Sequence, residues 1–219
     1  MSQSLSNRLL AEFLGTGLLV MAVVGSGAMA EQLTTEIAVQ LLANSLATVG
    51  ALVTLIWMFG SLSGAHFNPL VTIFLSIHSS FPWRQILPYL VAQTSGGIGG
   101  AVLANLMFDL SILGPSSKVR TGGGVWLGEL IATFTLLLVI HLIGKSNPAK
   151  LPIAVGIWIG GAYWFTSSTS LANPSVTVAR MFTTSFAGIA PQSVAAFVIA
   201  QIAGLIVLAP VIRLFDQRK

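Results

Sequence analysis

Two asparagine–proline pairs, Asn68-Pro69 and Asn173-Pro174, are the residues whose type and setting could do chemistry. Both open the same pattern, Asn-Pro-x-Val-Thr, at Asn68–Thr72 and Asn173–Thr177. Asparagine is a favoured N-cap because its side-chain oxygen accepts an N–H of the first helical turn. Proline suits the next position, where its missing N–H costs nothing. Each pair therefore predicts a helix start whose side-chain NH2 is left as a donor. A helix start also carries about half a positive charge. Two such starts in an apolar setting would offer donors to a neutral hydroxylated solute and repel cations. That is recognition chemistry rather than bond-making chemistry.

The other polar candidates are Glu12, Glu129 and His66. A carboxylate in an apolar stretch is costly unless satisfied, so Glu12 and Glu129 are either a proton relay or acceptors that brace nearby loops. His66 lies two residues before Asn68, while His78 and His141 fall in a loop and at a span end. The three show no metal-ligand spacing, so no metal is assigned. The chain has no cysteine, which removes disulfides, thiolate metal sites and cysteine nucleophiles. No Ser-His-acid arrangement is legible. Gly122-Gly123-Gly124 is not a phosphate loop, since no Lys-Ser/Thr follows. An enzyme is not expected, and no cofactor is implied.

The elements that must position these residues cross a membrane. The 219 residues are 54% hydrophobic and 7% charged, against about 25% charged in soluble domains. Ten basic residues are too few and scattered for nucleic acid, so the lipid bilayer is the expected partner. Six stretches suit the roughly 20 residues that a bilayer core demands: Leu9–Ala30, Ile37–Phe59, Ile86–Phe108, Val125–Ile143, Leu151–Thr169 and Val194–Ile212. The first is read as a retained span rather than a cleaved leader. Asn68–Ile77 and Asn173–Phe182 are left over. At about 15 Å each as helix, they reach half way and are expected to be re-entrant half-helices. With the N-terminus cytoplasmic, the inside segments hold Arg8, Arg84, Lys145, Lys150, Arg213, Arg218 and Lys219, and the outside segments hold Lys118, Arg120 and Arg180. Both termini are therefore expected inside.

The halves echo one another. Glu12-Phe13-Leu14-Gly15-Thr16 matches Glu129-Leu130-Ile131-Ala132-Thr133, and Ala92-Gln93 with Gly96 matches Ala200-Gln201 with Gly204. The order is glutamate, Asn-Pro, Ala-Gln, stated twice. Residues 1–110 form a first repeat and 120–219 a second, within one channel domain. Three spans per half give the halves opposite orientation, an inverted repeat with a site near the midplane. The expected fold is an all-α membrane protein of six transmembrane helices and two re-entrant half-helices. Gly96, Gly97, Gly99, Gly100 and Gly204 are expected to permit close helix packing.

These features together resemble the major intrinsic protein family, the aquaporins and aquaglyceroporins. The likeness runs from Glu12 to about Gly204 and includes Ser63-Gly64-Ala65-His66-Phe67-Asn68-Pro69. The third residue of the family's Asn-Pro-Ala motif is replaced by Leu70 and Ser175, which leaves the cap and donor intact. The resemblance implies a homotetramer with one pore per subunit, Glu12 and Glu129 as braces, and His66 as a loop organiser beside the pore. It maps the outer selectivity filter to Thr48, Gly161, Ser170 and Val176, with Tyr163, Trp164 and Phe165 close to the position in the fifth span. Val176 stands where relatives usually carry an arginine, and Thr177 where glycerol channels carry an aspartate. Small residues imply a pore wider than a water filter. Arg180 either projects into the outer vestibule, replacing part of the missing charge, or is a cation at a helix C-terminus near the interface; the second is the simpler expectation. The implied function is passive passage of water, glycerol, urea and neutral metalloid acids such as arsenite, in a bacterial inner membrane. A water-selective pore narrowed by an aromatic is the alternative. A secondary transporter, which inverted repeats and broken helices also fit, is a further one.

Overall fold

Long apolar runs become helices, and the side chains of Ser4, Asn68 and Asn173 cap the starts they precede. The computed structural model describes residues 3–216; Arg218 and Lys219, counted above as orientation signals, lie outside them. Eight α-helices follow in order: α1 Leu5–Leu33, α2 Ile37–Ser63, α3 Pro69–His78, α4 Ile86–Met107, α5 Gly123–Ser146, α6 Leu151–Phe165, α7 Pro174–Ala179 and α8 Pro191–Asp216. The α1, α2, α4, α5 and α8 helices are long and apolar enough to cross a membrane. The α6 helix, 15 residues long, is the short sixth crossing, about 22 Å by helical rise. The expected fifth span ran to Thr169. It stops at Phe165 because Thr166 takes an extended backbone, and residues 166–172 form the loop that leads to Asn173.

The half-helices α3 and α7 begin at Asn68 and Asn173 as the capping chemistry predicts. The second is shorter in α-form than expected. Only six residues are α-helical, and Arg180–Phe182 tighten into a 3-10 turn. Neighbouring loops capture the carbonyls of that turn: Ser116 N–H donates to Met181 O at 2.9 Å and Ile189 N–H to Arg180 O at 3.2 Å.

The packing is paired. α1 packs on α4 and α2, α5 on α8 and α6, and α2 meets α6 across the middle. Exposed side chains on these helices are large and apolar, such as Leu10, Ile157, Ile199 and Ile206, as lipid-facing surfaces require. The start of α1 and the end of α8 lie on one face. Arg8 donates to Gln85 at 2.7 Å, and Lys145 to Asp216 at 2.8 Å. That face is termed inner. On the opposite, outer face, Glu31 at the end of α1 takes Lys118 Nζ at 3.1 Å and Phe186 N–H at 2.6 Å.

Backbone contact between helices depends on three glycines. A Cβ on Gly100 would lie 2.0 Å from Gly17 O, one on Gly96 2.1 Å from Phe13 O, and one on Gly204 2.6 Å from Leu130 O. Gly99 does not share this role, because a Cβ there meets nothing within 4 Å. Gly100→Ala is therefore expected to push α1 and α4 apart at a cost of about 1–3 kcal/mol or more. Gly99→Ala should be neutral. Thermal unfolding midpoints of the two variants in detergent check the contrast.

Candidate functional site

The two loops that precede α3 and α7 are the polar centre of the molecule. Asn68 Oδ1 accepts Leu70 N–H at 2.9 Å. Asn173 Oδ1 accepts Ser175 N–H at 3.0 Å and Val176 N–H at 3.3 Å. The NH2 groups are not wholly free. Asn68 Nδ2 donates to Ala172 O at 2.8 Å, and Asn173 Nδ2 to Phe67 O at 2.8 Å. Each amide thus ties its own helix start to the opposite loop, and each keeps one N–H for the cavity. Pro69, Leu70, Pro174 and Ser175 follow as first-turn residues, with Pro at the position that needs no donor.

The loops hold an uncommon backbone. Ala65, Phe67, Ser170 and Ala172 have φ between 48° and 51°, and Thr169 has φ 61°. Non-glycine residues in this region cost about 1–3 kcal/mol each. Four of the five fall three and one residues before each asparagine, and Thr169 falls four before, where the first loop has Gly64 at φ 94°, so the two loops share one conformation. What holds them is a pair of buried carboxylates. Glu12 accepts from Ser63 Oγ at 2.6 Å, His66 N–H at 2.9 Å, Phe67 N–H at 2.8 Å and Gln93 Nε2 at 2.8 Å. Glu129 accepts from Leu171 N–H at 2.8 Å, Ala172 N–H at 2.9 Å and Gln201 Nε2 at 2.6 Å. Both carboxylates are fully buried. With these donors converging, their lone pairs are committed to the loops.

Sequence reasoning left out several members of this network. Gln93 also donates to Thr72 Oγ1 at 2.9 Å, and Gln201 to Thr177 Oγ1 at 2.9 Å. Ala65 N–H donates to Ser63 Oγ, and Ser170 N–H to Ser168 Oγ, both at 3.1 Å. The signal was present. The threonines close the shared Asn-Pro-x-Val-Thr pattern, and the serines stand five residues before each asparagine.

His66 sits in the inner half, with Nδ1 3.0 Å from Thr72 Oγ1 and its ring against Phe81 and Tyr89. Thr72 gives its own proton to Asn68 O. The network therefore assigns the histidine proton to Nδ1 and leaves Nε2 as an acceptor.

A cavity of about 320 Å³ runs past both asparagines. One wall is polar: the loop residues 64–68 and 170–173. The facing wall is apolar and comes from α1, α2, α5 and α6, through residues such as Val23, Leu52, Ile140 and Val155. The inner end is bounded by His78, His141 and Lys145. The outer end is bounded by Thr48, Tyr163, Ser170, Val176 and Arg180.

Three of the four expected filter residues line that outer end, and Gly161 does not. The cavity face of α6 is Val155, Ile159 and Tyr163, spaced by four. Two residues of an α-helix turn about 200°, which places position 161 on the far side, and Gly161 is exposed. Tyr163 lines the outer end instead. Its hydroxyl is 3.1 Å from Thr48 Oγ1, which gives its own proton to Asn44 O at 2.8 Å, so the tyrosine is the donor. Arg180 also departs from the simpler expectation. It sits where α7 gives way to the 3-10 turn, but it is 2% exposed, lines the cavity, and donates from Nε to Ala187 O. Among the described residues, no three of His, Asp and Glu gather as a metal site.

Comparison with known proteins agrees with this architecture. The family model described as Major intrinsic protein matches residues 1–167. The chain is 48% identical over 202 residues to "Aquaglyceroporin AqpS" of Rhizobium meliloti, an alignment covering 92% of this chain and 87% of that protein. It is 32% identical over 168 residues to "Aquaporin Z" of Rhodopseudomonas palustris, covering 69% of each. The solved structure of the aquaglyceroporin from Plasmodium falciparum shares the fold, with a TM-score of 0.70 at 23% identity, and the match covers 96% of this chain and all of that one. The chain belongs to the major intrinsic protein family.

Proposed function

We propose that the chain is a passive channel for water and small uncharged solutes such as glycerol. The observation that carries this reading is the two-sided cavity, with loop carbonyls and two asparagine N–H groups on one wall and aliphatic side chains on the other. A polyol is two-sided in the same way, with hydroxyls along one edge and C–H groups along the other. Asn68 and Asn173 give it donors, and the loop carbonyls and His66 Nε2 give it acceptors. An ion would have to shed its hydration against the apolar wall, which is costly. The paired helix starts add a positive field that repels cations and protons. Urea and neutral metalloid acids such as arsenite in its trihydroxide form fit the same criteria of size and neutrality.

In this reading the Asn-Pro motifs are the central contacts, and Thr48, Tyr163, Ser170 and Val176 set the outer constriction. The two halves, 1–110 and 120–219, act as inverted repeats. The inner face, rich in Arg8, Arg84, Lys145, Lys150 and Arg213, is cytoplasmic in a bacterial inner membrane, and four subunits assemble, each with its own pore. A secondary transporter would need a carboxylate free to exchange a proton or cation. Glu12 and Glu129 are both committed to loop N–H groups.

Tyr163 favours a second reading, a water-selective pore, because an aromatic edge narrows the outer end more than Gly161 would. Stopped-flow swelling of reconstituted vesicles separates the two. Glycerol uptake above that of protein-free vesicles supports the wider pore, and uptake equal to theirs rejects it. Tyr163→Ala is expected to raise glycerol flux severalfold relative to water. Gly161→Ala, on the lipid side, should change neither.

A further inference from the structure

The outer mouth carries more positive charge than a neutral solute needs. Arg180 is fully buried, and among the described residues the one hydrogen bond its side chain makes is from Nε to Ala187 O. Its two terminal nitrogens are left to the cavity that it lines. Arg120 donates from Nε to the next carbonyl, Gly188 O, at 3.1 Å, and from Nη1 to Ser168 O at 3.4 Å and Thr169 Oγ1 at 3.3 Å. Adjacent carbonyls thus hold both guanidinium groups. Burial first, and then the charge of Arg180, push Arg120 down to about 10. Among the described residues, neither arginine has a carboxylate within 4.0 Å. Glu129 is the carboxylate whose charge favours that of Arg120, and it is committed to the loop. Next to Thr169, Ser170 lines the cavity, and its hydroxyl is buried with no hydrogen-bond partner.

We propose that the Arg180 guanidinium and the Ser170 hydroxyl, in the field of Arg120, form a binding site for a small singly charged oxyanion, which plugs the pore from outside. The guanidinium fork presents parallel N–H donors that match the spacing of two oxygens on one centre. A buried charge without a counter-ion is costly, so an anion relieves both arginines at once. It does not pass inward. Beyond Val176 one wall is Leu52, Val155 and Ile159, where an ionised group loses more solvation than two amide donors return. The anion is held at the mouth and competes with neutral solutes.

The inference rests on the channel reading, and nitrate is the test anion, being planar, permanently ionised and small. Glycerol uptake into vesicles is measured with external nitrate replacing gluconate at fixed ionic strength and osmolality. Nitrate is expected to slow uptake saturably. In Arg180→Gln the half-blocking concentration, referred to that variant's own flux, should rise about tenfold or more, as loss of a charge-assisted hydrogen bond implies. In Arg120→Gln, which loses field but no direct donor, it should rise less. Equal rates in nitrate and gluconate, or equal block of wild type and Arg180→Gln, overturns the site. Line broadening of 15N-nitrate by the wild-type protein in detergent reads binding without flux, and its absence also overturns the site. No glycerol flux in any buffer, with broadening retained, would reject the channel reading alone.

Discussion

Glu12→Ala should yield little folded protein, and what folds should conduct poorly. The carboxylate accepts four hydrogen bonds, from Ser63, His66, Phe67 and Gln93. Hydrogen bonds to a charged group contribute about 1.5–3 kcal/mol each, and an orphaned buried donor costs its full desolvation. The four are not additive, but a loss of about 4 kcal/mol or more is expected, a size reserved for broken buried networks. The damage falls on function as well, because the two N–H groups released belong to the loop held at Ala65 φ 50° and Phe67 φ 49°. Without the acceptor, those residues relax toward ordinary backbone and their carbonyls leave the pore wall. Glu12→Gln should be intermediate, since an amide keeps one acceptor oxygen and places an NH2 against donors. Glu129→Ala should be slightly milder, with three bonds lost rather than four. Thermal midpoint and monodispersity in detergent check the stability. Flux at pH 5.5 and pH 8 separates a brace from a proton relay. Glu12→Gln protein that is fully stable and has lost only a pH dependence would make the carboxylate a relay.

What could be read from the sequence was what local chemistry determines. An Asn-Pro helix start is decided by residues within one turn, so Asn68 and Asn173 were legible as caps. A carboxylate inside an apolar stretch identifies itself, so Glu12 and Glu129 were legible as paired. The conformation of the loops was not. Ala65, Phe67, Thr169, Ser170 and Ala172 carry no glycine signal for a positive φ, and adopt it because Glu12 and Glu129 bind the N–H groups beside them. Gly161 was misplaced for a related reason. Counting back from Asn173 crosses residues 166–172, where no helical period fixes the register. Nor could amphipathicity find the right face of α6, since lipid and pore walls are both apolar and Ile157 outside resembles Ile159 inside. Arg180 was legible as lying beyond Val176. Its burial depends on Ala187, in a segment held from outside by Glu31 and Lys118.

Val176→Arg should reduce glycerol flux about tenfold or more, equivalent to about 1.4 kcal/mol of added barrier, while water flux falls far less. Val176 is buried and lines the outer end of the cavity. It lies four residues before Arg180, about 6 Å along the half-helix axis. A guanidinium there acts in two ways. It fills space opposite Tyr163 and Thr48, which a solute of several heavy atoms feels more than water does. It also adds a third positive charge beside Arg180 and Arg120, which neutral solutes ignore but which displaces Arg180. Two companions separate these effects. Val176→Leu enlarges the side chain without charge, so a fall in glycerol flux there reports size alone. Val176→Arg combined with Arg180→Gln restores the original charge count with the arginine moved one turn inward. If that double variant remains closed to glycerol, the position of the guanidinium sets the constriction. If it reopens, charge crowding did. Glycerol flux unchanged in Val176→Arg would place the narrowest point away from this residue, and the outer mouth would then be a vestibule rather than the filter.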